Sequence, residues 1–438
     1  MARARLPRES LVALVLPVDP SRAAPRLAWR EQVPVNPASV MKLVTTFAAL
    51  DQLGPAYVWN TPVYLDGPVQ GGVLKGNLYL RGQGDPKLVV ERLWLLLRRL
   101  QGQGVQAIEG DIVLDRSAFN VAEHDPGRFD GEPLRPYNAA PDALLINYQA
   151  MAMGFVPDAL AGVARVQYEP PLAGMQLQAS VPLAAAGTAC GDWRTGLRAE
   201  LSDPQRVVFQ GVYPASCGDR QWPLAPAQPQ LFAARAIEGM WRELGGRLTG
   251  QVRDGRVPAG LPQAFSMASP PLGEVVRDIN KFSNNVMTQQ VFLTLGLQKA
   301  GSGSFEGARE ALRQWWRQRM GSAELPMVDN GAGLSREARI TAQSLARMLQ
   351  VAWASPVMPE LMASLPITGV DGTLRRSQSR AQGVAHLKTG SLRDVNAIAG
   401  YVLAPNGQRY VLVAVVNHPN AAAARPVLDA LIDWTVRE

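Results

Sequence analysis

Ser39 and Lys42 stand three residues apart in Asn36-Pro37-Ala38-Ser39-Val40-Met41-Lys42-Leu43, where strand and turn give way to an apolar helical run (Leu43, Val44, Phe47, Leu50). On a helix, residues i and i+3 share a face, so the hydroxyl and the amine are expected side by side at the first turn. A serine hydroxyl is a weak nucleophile until a base sits beside it. A lysine serves as that base only when burial or a second cation lowers its pKa. The helix N-terminus adds backbone N–H groups that favour negative charge. Such a pair is suited to attack on a carbonyl and formation of an acyl-enzyme. Ser-x-x-Lys alone is also a common chance pattern on solvated helix faces. Composition weighs against that reading here. Of 44 Lys and Arg residues only six are lysines: Lys42, Lys75, Lys87, Lys281, Lys299 and Lys388. Arg stays protonated and cannot act as a base, so the few lysines mark positions where Arg would not serve.

Two further stretches carry lysines beside polar groups. Lys281-Phe282-Ser283-Asn284-Asn285 reads as a helical turn, and by itself is no more than a polar cap. Lys388-Thr389-Gly390-Ser391 reads as the end of an inner strand. Each is weak alone. The three together, at a helix start, a helical turn and a strand, are hard to obtain by chance. A Ser-His-Asp arrangement is disfavoured, because G-x-S-x-G is absent and only His124, His386 and His418 are present. His386 shares a strand face with Lys388, and we read it as structural rather than as an acid or base.

The elements that must position these groups come from the whole chain. At 438 residues, two or three domains are expected. Hydrophobic residues make up 47% and charged residues 18%, a globular balance. No apolar run reaches the roughly 18 residues of a membrane span. The net charge of +7 is spread along the chain without a basic-aromatic cluster, so no nucleic-acid partner is expected. The mild positive charge is compatible with an acidic polymer substrate. Cys190 and Cys217 each sit in a Cys-Gly-Asp turn, which suggests one disulfide worth about 3–4 kcal/mol and an oxidising compartment. Two unrelated buried thiols are the alternative. Two Cys with three His make no plausible zinc site, so neither metal nor cofactor is expected.

Strands are predicted at 9–19 and 27–30 with a turn between, then the Ser39 helix to Gly54-Pro55. Short alternating strands follow at 63–65, 73–80 and 112–114, with a helix at 88–101. Residues 81–86 read as a turn, not a phosphate loop. Residues 160–224 read as a small all-β unit. Helices are predicted at 232–244, 271–297, 305–320, 341–355 and 421–436, and strands at 385–389, 397–403 and 410–416. These organise into a multidomain α/β (α+β) chain: residues 1–60 and 264–438 as the domain with an antiparallel sheet, 61–150 and 225–263 as a first inserted α/β domain, and 151–224 as a second, all-β one.

The set Ser39-Val40-Met41-Lys42, Ser283-Asn284-Asn285 and Lys388-Thr389-Gly390 resembles the S-x-x-K, S-x-N and K-[TS]-G signature of serine penicillin-binding proteins and β-lactamases. The long span between Ser39 and Ser283 is similar to that of class-C low-molecular-mass penicillin-binding proteins, the D-alanyl-D-alanine carboxypeptidase/endopeptidase family with two domains inserted after the nucleophile helix. Gly84-Asp85-Pro86, 110–115, 330–336, 365–374 and Gly400-Tyr401-Val402 resemble that family too, so the likeness covers nearly the whole chain. It implies a penicillin-binding/β-lactamase-like transpeptidase domain, peptidoglycan stem peptides as substrate, acylation by β-lactam antibiotics, and a periplasmic location with any signal peptide already removed. A homodimer is a further expectation left open.

In this reading Ser39 is the nucleophile and Lys42 the proton acceptor, kept neutral by burial and Lys388. Ser283 relays the proton to the leaving amine. Asn285 holds the substrate amide and steadies Lys42. Lys388 and Thr389 bind a C-terminal carboxylate, and Gly390 lets substrate lie along the strand. Backbone N–H groups of Ser39 and Ser391 form the oxyanion hole, worth roughly 3–4 kcal/mol per donor. Asn147 is expected where some relatives carry an acidic residue facing the site. The alternatives are a β-lactamase, esterase or D-aminopeptidase with the same groups, or a non-catalytic peptidoglycan-binding relative. The presence of Ser39, Lys42, Ser283, Asn285 and Lys388 together argues against the last.

Overall fold

The computed structural model describes residues 1–21 and 24–437. The turn expected between the first two strands includes Arg22 and Ala23, which lie outside the described residues. The chain divides into two compact units, one made of Met1–Trp59, Phe119–Val121 and Pro270–Glu438, the other of Asn60–Ala118 and Ala122–Ser269. Among the described residues no helix is long and apolar enough to cross a membrane.

The first unit is built on a five-stranded sheet of β1 (Leu11–Pro17), β2 (Leu27–Trp29), β3 (Ala385–Leu392), β4 (Val395–Leu403) and β5 (Arg409–Asn417), in the order β3-β4-β5-β1-β2. Every pairing is antiparallel. The run from Tyr410 to Val416 is apolar without alternation and buried throughout, which requires cover on both faces. On one face Val15, Leu387, Ile398, Leu412 and Ala414 pack with Leu428 and Ile432 of the C-terminal helix. On the other, the helix Ala342–Trp353 packs on β1 and β5, and α1 (Lys42–Leu53), buried at every residue from Lys42 to Leu50, packs among the helices. The helices α2 (Leu272–Phe282), α3 (Asn285–Ala300), α4 (Phe305–Met320), α5 (Ala342–Trp353), α6 (Met358–Ser364) and α7 (Arg425–Thr435) complete the unit. Tyr401 on β4 donates from its hydroxyl to the Leu349 carbonyl of α5 at 2.8 Å, which satisfies a phenol buried against that helix.

Three features differ from expectation in ways that bear on the site. The single helix expected over 271–297 is two helices. Ser283 adopts a left-handed conformation (φ 58°, ψ 38°) that ends α2, and Asn284 starts α3 by accepting the Met287 N–H at 3.0 Å. The strand bearing Lys388 is not an inner strand but the edge of the sheet. Finally, Ser39 does not lie in the α-helix itself. It occupies a 3-10 turn, Ala38–Met41, that leads into α1.

In the second unit, five strands pair in the order Val252–Asp254, Ile112–Asp115, Asn77–Arg81, Asn60–Asp66 and Gln263–Ala268. The strand expected over 73–80 is two, Val73–Leu74 and Asn77–Arg81, in different sheets. Gly76 marks the break: a Cβ there would lie 1.5 Å from the Asp66 carbonyl oxygen. Met151–Asp158 pairs antiparallel with Val163–Glu169 and Arg220–Leu224. The stretch expected as all-β also holds a short helix, Trp193–Leu197, capped by the Asp192 carboxylate. Cys190 and Cys217 are joined as a disulfide. One continuous apolar core runs from Val63 and Leu97 through Phe155 and Tyr213 to Trp241.

Candidate active site

Ser39, Lys42, Ser283, Asn285, Lys388, Thr389, Gly390 and Ser391 all belong to the first unit. Lys42 is fully buried, and its Nζ meets three oxygens: Ser39 Oγ at 2.9 Å, Asn285 Oδ1 at 2.6 Å and the Ala332 carbonyl at 2.6 Å. The last two can only accept. A neutral amine has two N–H bonds and one lone pair. With both N–H bonds given to Asn285 and Ala332, the lone pair is left for the Ser39 hydroxyl. Burial first, and the charge of Lys388 second, push Lys42 well below its ordinary value.

Lys388 on β3 is also fully buried, and burial pushes it down to about 7. Its Nζ donates to Ser283 Oγ at 2.9 Å and to the Thr389 carbonyl at 2.7 Å. The left-handed backbone at Ser283 places that hydroxyl between the end of α2 and the strand. The site therefore holds two amines, each on its own serine.

The strand presents its outer edge. Leu387 N–H donates to the Pro366 carbonyl and Thr368 N–H to the Ala385 carbonyl, so the odd positions of β3 turn their backbone groups away from β4. Thr389 and Ser391 have the same parity on a strand whose pairing with β4 is regular over 385–392. Their backbone groups therefore face the open edge beyond the loop. Gly390 faces the nucleophile's own turn: a Cβ there would come 2.5 Å from the Pro37 carbonyl oxygen and 3.1 Å from Ser39 N, so its bareness lets β3 approach that turn. Gly333 does the same from the other side, where a Cβ would lie 1.9 Å from the Ala38 carbonyl oxygen.

Several contributors have no motif to announce them. Ala332 enters through its carbonyl, held by a loop in which Asn330 Oδ1 accepts the Ala332 N–H at 3.0 Å. Thr373 places its hydroxyl 2.7 Å from that of Thr389. Lys281 is turned away from the two serines and is buried against Asp371 Oδ2 and the Leu365 carbonyl, both at 2.6 Å. His386 is half-buried, and burial, then Lys281, push its imidazole below the ordinary value. Asn147 lies in the second unit and donates its side-chain amide to the Ala150 carbonyl at 2.8 Å.

The model of the D-Ala-D-Ala carboxypeptidase 3 (S13) family matches residues 4–438. A D-alanyl-D-alanine carboxypeptidase of Actinomadura sp. is 28% identical over 412 residues, covering 89% of this chain and 74% of that protein. The D-alanyl-D-alanine carboxypeptidase DacB of Haemophilus influenzae is 26% identical over 391 residues, covering 87% and 80%. The fold is that of the penicillin binding protein 4 crystal structure from Haemophilus influenzae, with a TM-score of 0.75 at 22% identity over 96% of each chain. The protein is thus a serine peptidase built on the multidomain penicillin-binding fold. It belongs to the D-Ala-D-Ala carboxypeptidase 3 (S13) family, and its activity is that of a serine D,D-carboxypeptidase.

Proposed function

We propose that this chain cleaves peptidoglycan stem peptides through an acyl-enzyme on Ser39, as carboxypeptidase and as endopeptidase on cross-links, and that β-lactams acylate the same hydroxyl. The observation that carries the assignment is the Ser39–Lys42 pair, with both N–H bonds of the buried amine directed to obligate acceptors. Lys42 takes the Ser39 proton as Oγ attacks the carbonyl carbon of the penultimate residue. Negative charge on the carbonyl oxygen falls to the N–H groups of Ser39 and Ser391. The C–N bond then breaks, and the proton passes from Lys42 through Ser283 to the departing amine. In a β-lactam the same bond is the ring amide, so the leaving amine stays attached. Lys388 and Thr389 hold the carboxylate beyond the scissile bond. Asn285 holds Lys42 in place and meets the substrate amide. Water completes the cycle by cleaving the acyl ester.

The Cys190–Cys217 disulfide supports a periplasmic location, because such bonds persist in oxidising compartments. We also propose that residues 61–150 with 225–263, and residues 151–224, are two inserted domains. In support, no sheet of the second unit mixes strands of these two sets, although Asn60–Asp66 and Gln263–Ala268 of the five-stranded sheet overrun the outer bounds at 61 and 263.

The test is mass spectrometry after incubation with benzylpenicillin. One adduct is expected, on the peptide bearing Ser39, and none in Ser39→Ala. An adduct of equal yield in Ser39→Ala would sink the assignment. Digestion of a muropeptide monomer beside a cross-linked dimer reads the two peptidase activities directly.

A further inference from the structure

The loop 365–374 is built into the site at two places. At one end it is clamped on the terminus of α2. Lys281, with a side chain only 4% exposed, donates to the Leu365 carbonyl and to Asp371 Oδ2. Asp371 Oδ1 accepts the Ile367 N–H at 2.8 Å, which closes the loop on itself. Gly372 sits with φ +55°, and a Cβ there would lie 2.7 Å from the Lys281 carbonyl oxygen. At the other end the loop pairs with β3, through Pro366 and Thr368 against Leu387 and Ala385. Directly after these anchors Thr373 emerges from the short helical turn Gly372–Leu374, with its hydroxyl 2.7 Å from Thr389 Oγ1. The ion pair that anchors the loop begins two residues before Ser283. The loop therefore sets the position of a Thr389 partner relative to the end of α2.

We propose that Thr373 is a positioning residue that makes Thr389 a dedicated donor to the substrate carboxylate, and so helps set the preference for a free C-terminal carboxylate. This rests on the reading of Thr389 as a carboxylate ligand given above. A threonine hydroxyl has one proton and two lone pairs. In the resting site the Thr389 hydroxyl donates to Thr373. When an anion arrives at the open edge, Thr373 donates to Thr389 Oγ1, and the Thr389 proton turns to the carboxylate oxygen. Hydrogen bonds in a chain polarise one another, and a bond to an ionised acceptor is stronger than a neutral one. The benefit therefore exists only for a ligand that brings the charge. An isolated Thr389 hydroxyl would be free to rotate away, and its donation would carry an orientational cost.

The experiment compares second-order acylation by benzylpenicillin and by its methyl ester, in the full chain, for the parent, Thr373→Val and Thr373→Ser. The parent is expected to prefer the free acid. Thr373→Val should lose about tenfold with the acid, in keeping with one hydrogen bond to a charged group, and stay within about twofold with the ester. Thr373→Ser, which keeps the hydroxyl, should restore the acid preference. Equal losses for acid and ester, or no loss for either, overturn the proposal. Should Thr373→Val fail to fold by thermal melt, Thr373→Ala carries the same comparison. A parent that forms no adduct with benzylpenicillin refutes the functional reading itself. A parent that prefers the acid beside a Thr373→Val that prefers it equally refutes only the role of Thr373.

Discussion

Lys42 and Lys388 are the same residue type, both without exposure, yet their surroundings suit them to opposite states. Lys42 has two acceptor-only partners and one hydroxyl, which matches a neutral amine with its lone pair on Ser39. Lys388 has a hydroxyl and a carbonyl, and an ammonium there leaves a donor for an incoming anion. A pH profile separates the two. Lys388 titrates at about 7, so in the free protein it is charged below that pH and neutral above it. Acylation by a carboxylate-bearing β-lactam should therefore fall as pH rises through about 7. The limb belongs to kcat/KM, which reports the unliganded protein. Burial and the charge of Lys388 lower Lys42 as well, so a separate fall toward acid is expected wherever Lys42 gains its proton. The methyl ester of the same β-lactam has no carboxylate for Lys388 and should keep the acid limb while losing the alkaline one. Stopped-flow acylation from pH 5 to 10 with both compounds decides this, and an alkaline limb shared by both would remove Lys388 as the carboxylate's partner.

At the scale of elements, the site is the meeting of a 3-10 turn, a helix break and a strand edge, and glycines regulate how closely they meet. Gly390 and Gly333 flank the Ser39 turn, and at each a Cβ would strike backbone rather than a yielding side chain. Gly390→Ala should push β3 away from Pro37 and separate Lys388 from Ser283. Gly333→Ala adds a side chain at φ +75°, and strain there costs about 1–3 kcal/mol. Both variants should melt lower than the parent, and acylation by benzylpenicillin should fall by at least about tenfold in Gly390→Ala, given how steeply reactivity depends on placement. A Gly390→Ala protein acylated at the parental rate would show that this approach is not needed. What was legible beforehand follows the same division. Ser39, Lys42, Ser283 and Lys388 were readable because short spacings place reactive types together. The Ala332 carbonyl was not, since a backbone oxygen leaves no mark on composition. The pairing of Lys281 with Asp371 was hidden by the length of chain between them. The break at Ser283 was concealed because left-handed caps favour Gly, although Asn284, a good helix N-cap, offered a signal that a new helix begins. The edge position of β3 was missed because the order of strands depends on pairing with distant segments, which the local sequence of Ala385–Leu392 does not record.

At the scale of the whole molecule, the residues assigned to chemistry and the residues tied by the disulfide fall in separate compact units. Cys217 is buried in the core of the second unit, where Phe155 stacks on Tyr213 and meets Trp193 and Phe209 edge-on. The bond to Cys190 spans 27 residues of chain, and a loop of that length is worth about 3–4 kcal/mol on the chain-entropy account. Every side chain of the acylating site belongs to the first unit, as do Ala332 and Thr373. Replacing both cysteines, in Cys190→Ala with Cys217→Ala, should therefore separate two properties that a single cooperative body would lose together. Limited proteolysis should cut the variant faster than the parent, with new cleavage sites concentrated between residues 151 and 224. Benzylpenicillin should still acylate Ser39 in the uncut chain within about twofold of the parental rate. Mass spectrometry of the same digest reads both outcomes, because the Ser39 adduct and the cleavage sites fall on different peptides. A loss of acylation in step with the gain in cleavage would mean that order in the disulfide-bearing segment is required for the chemistry at Ser39, and that the acylating site is not self-sufficient within its own unit.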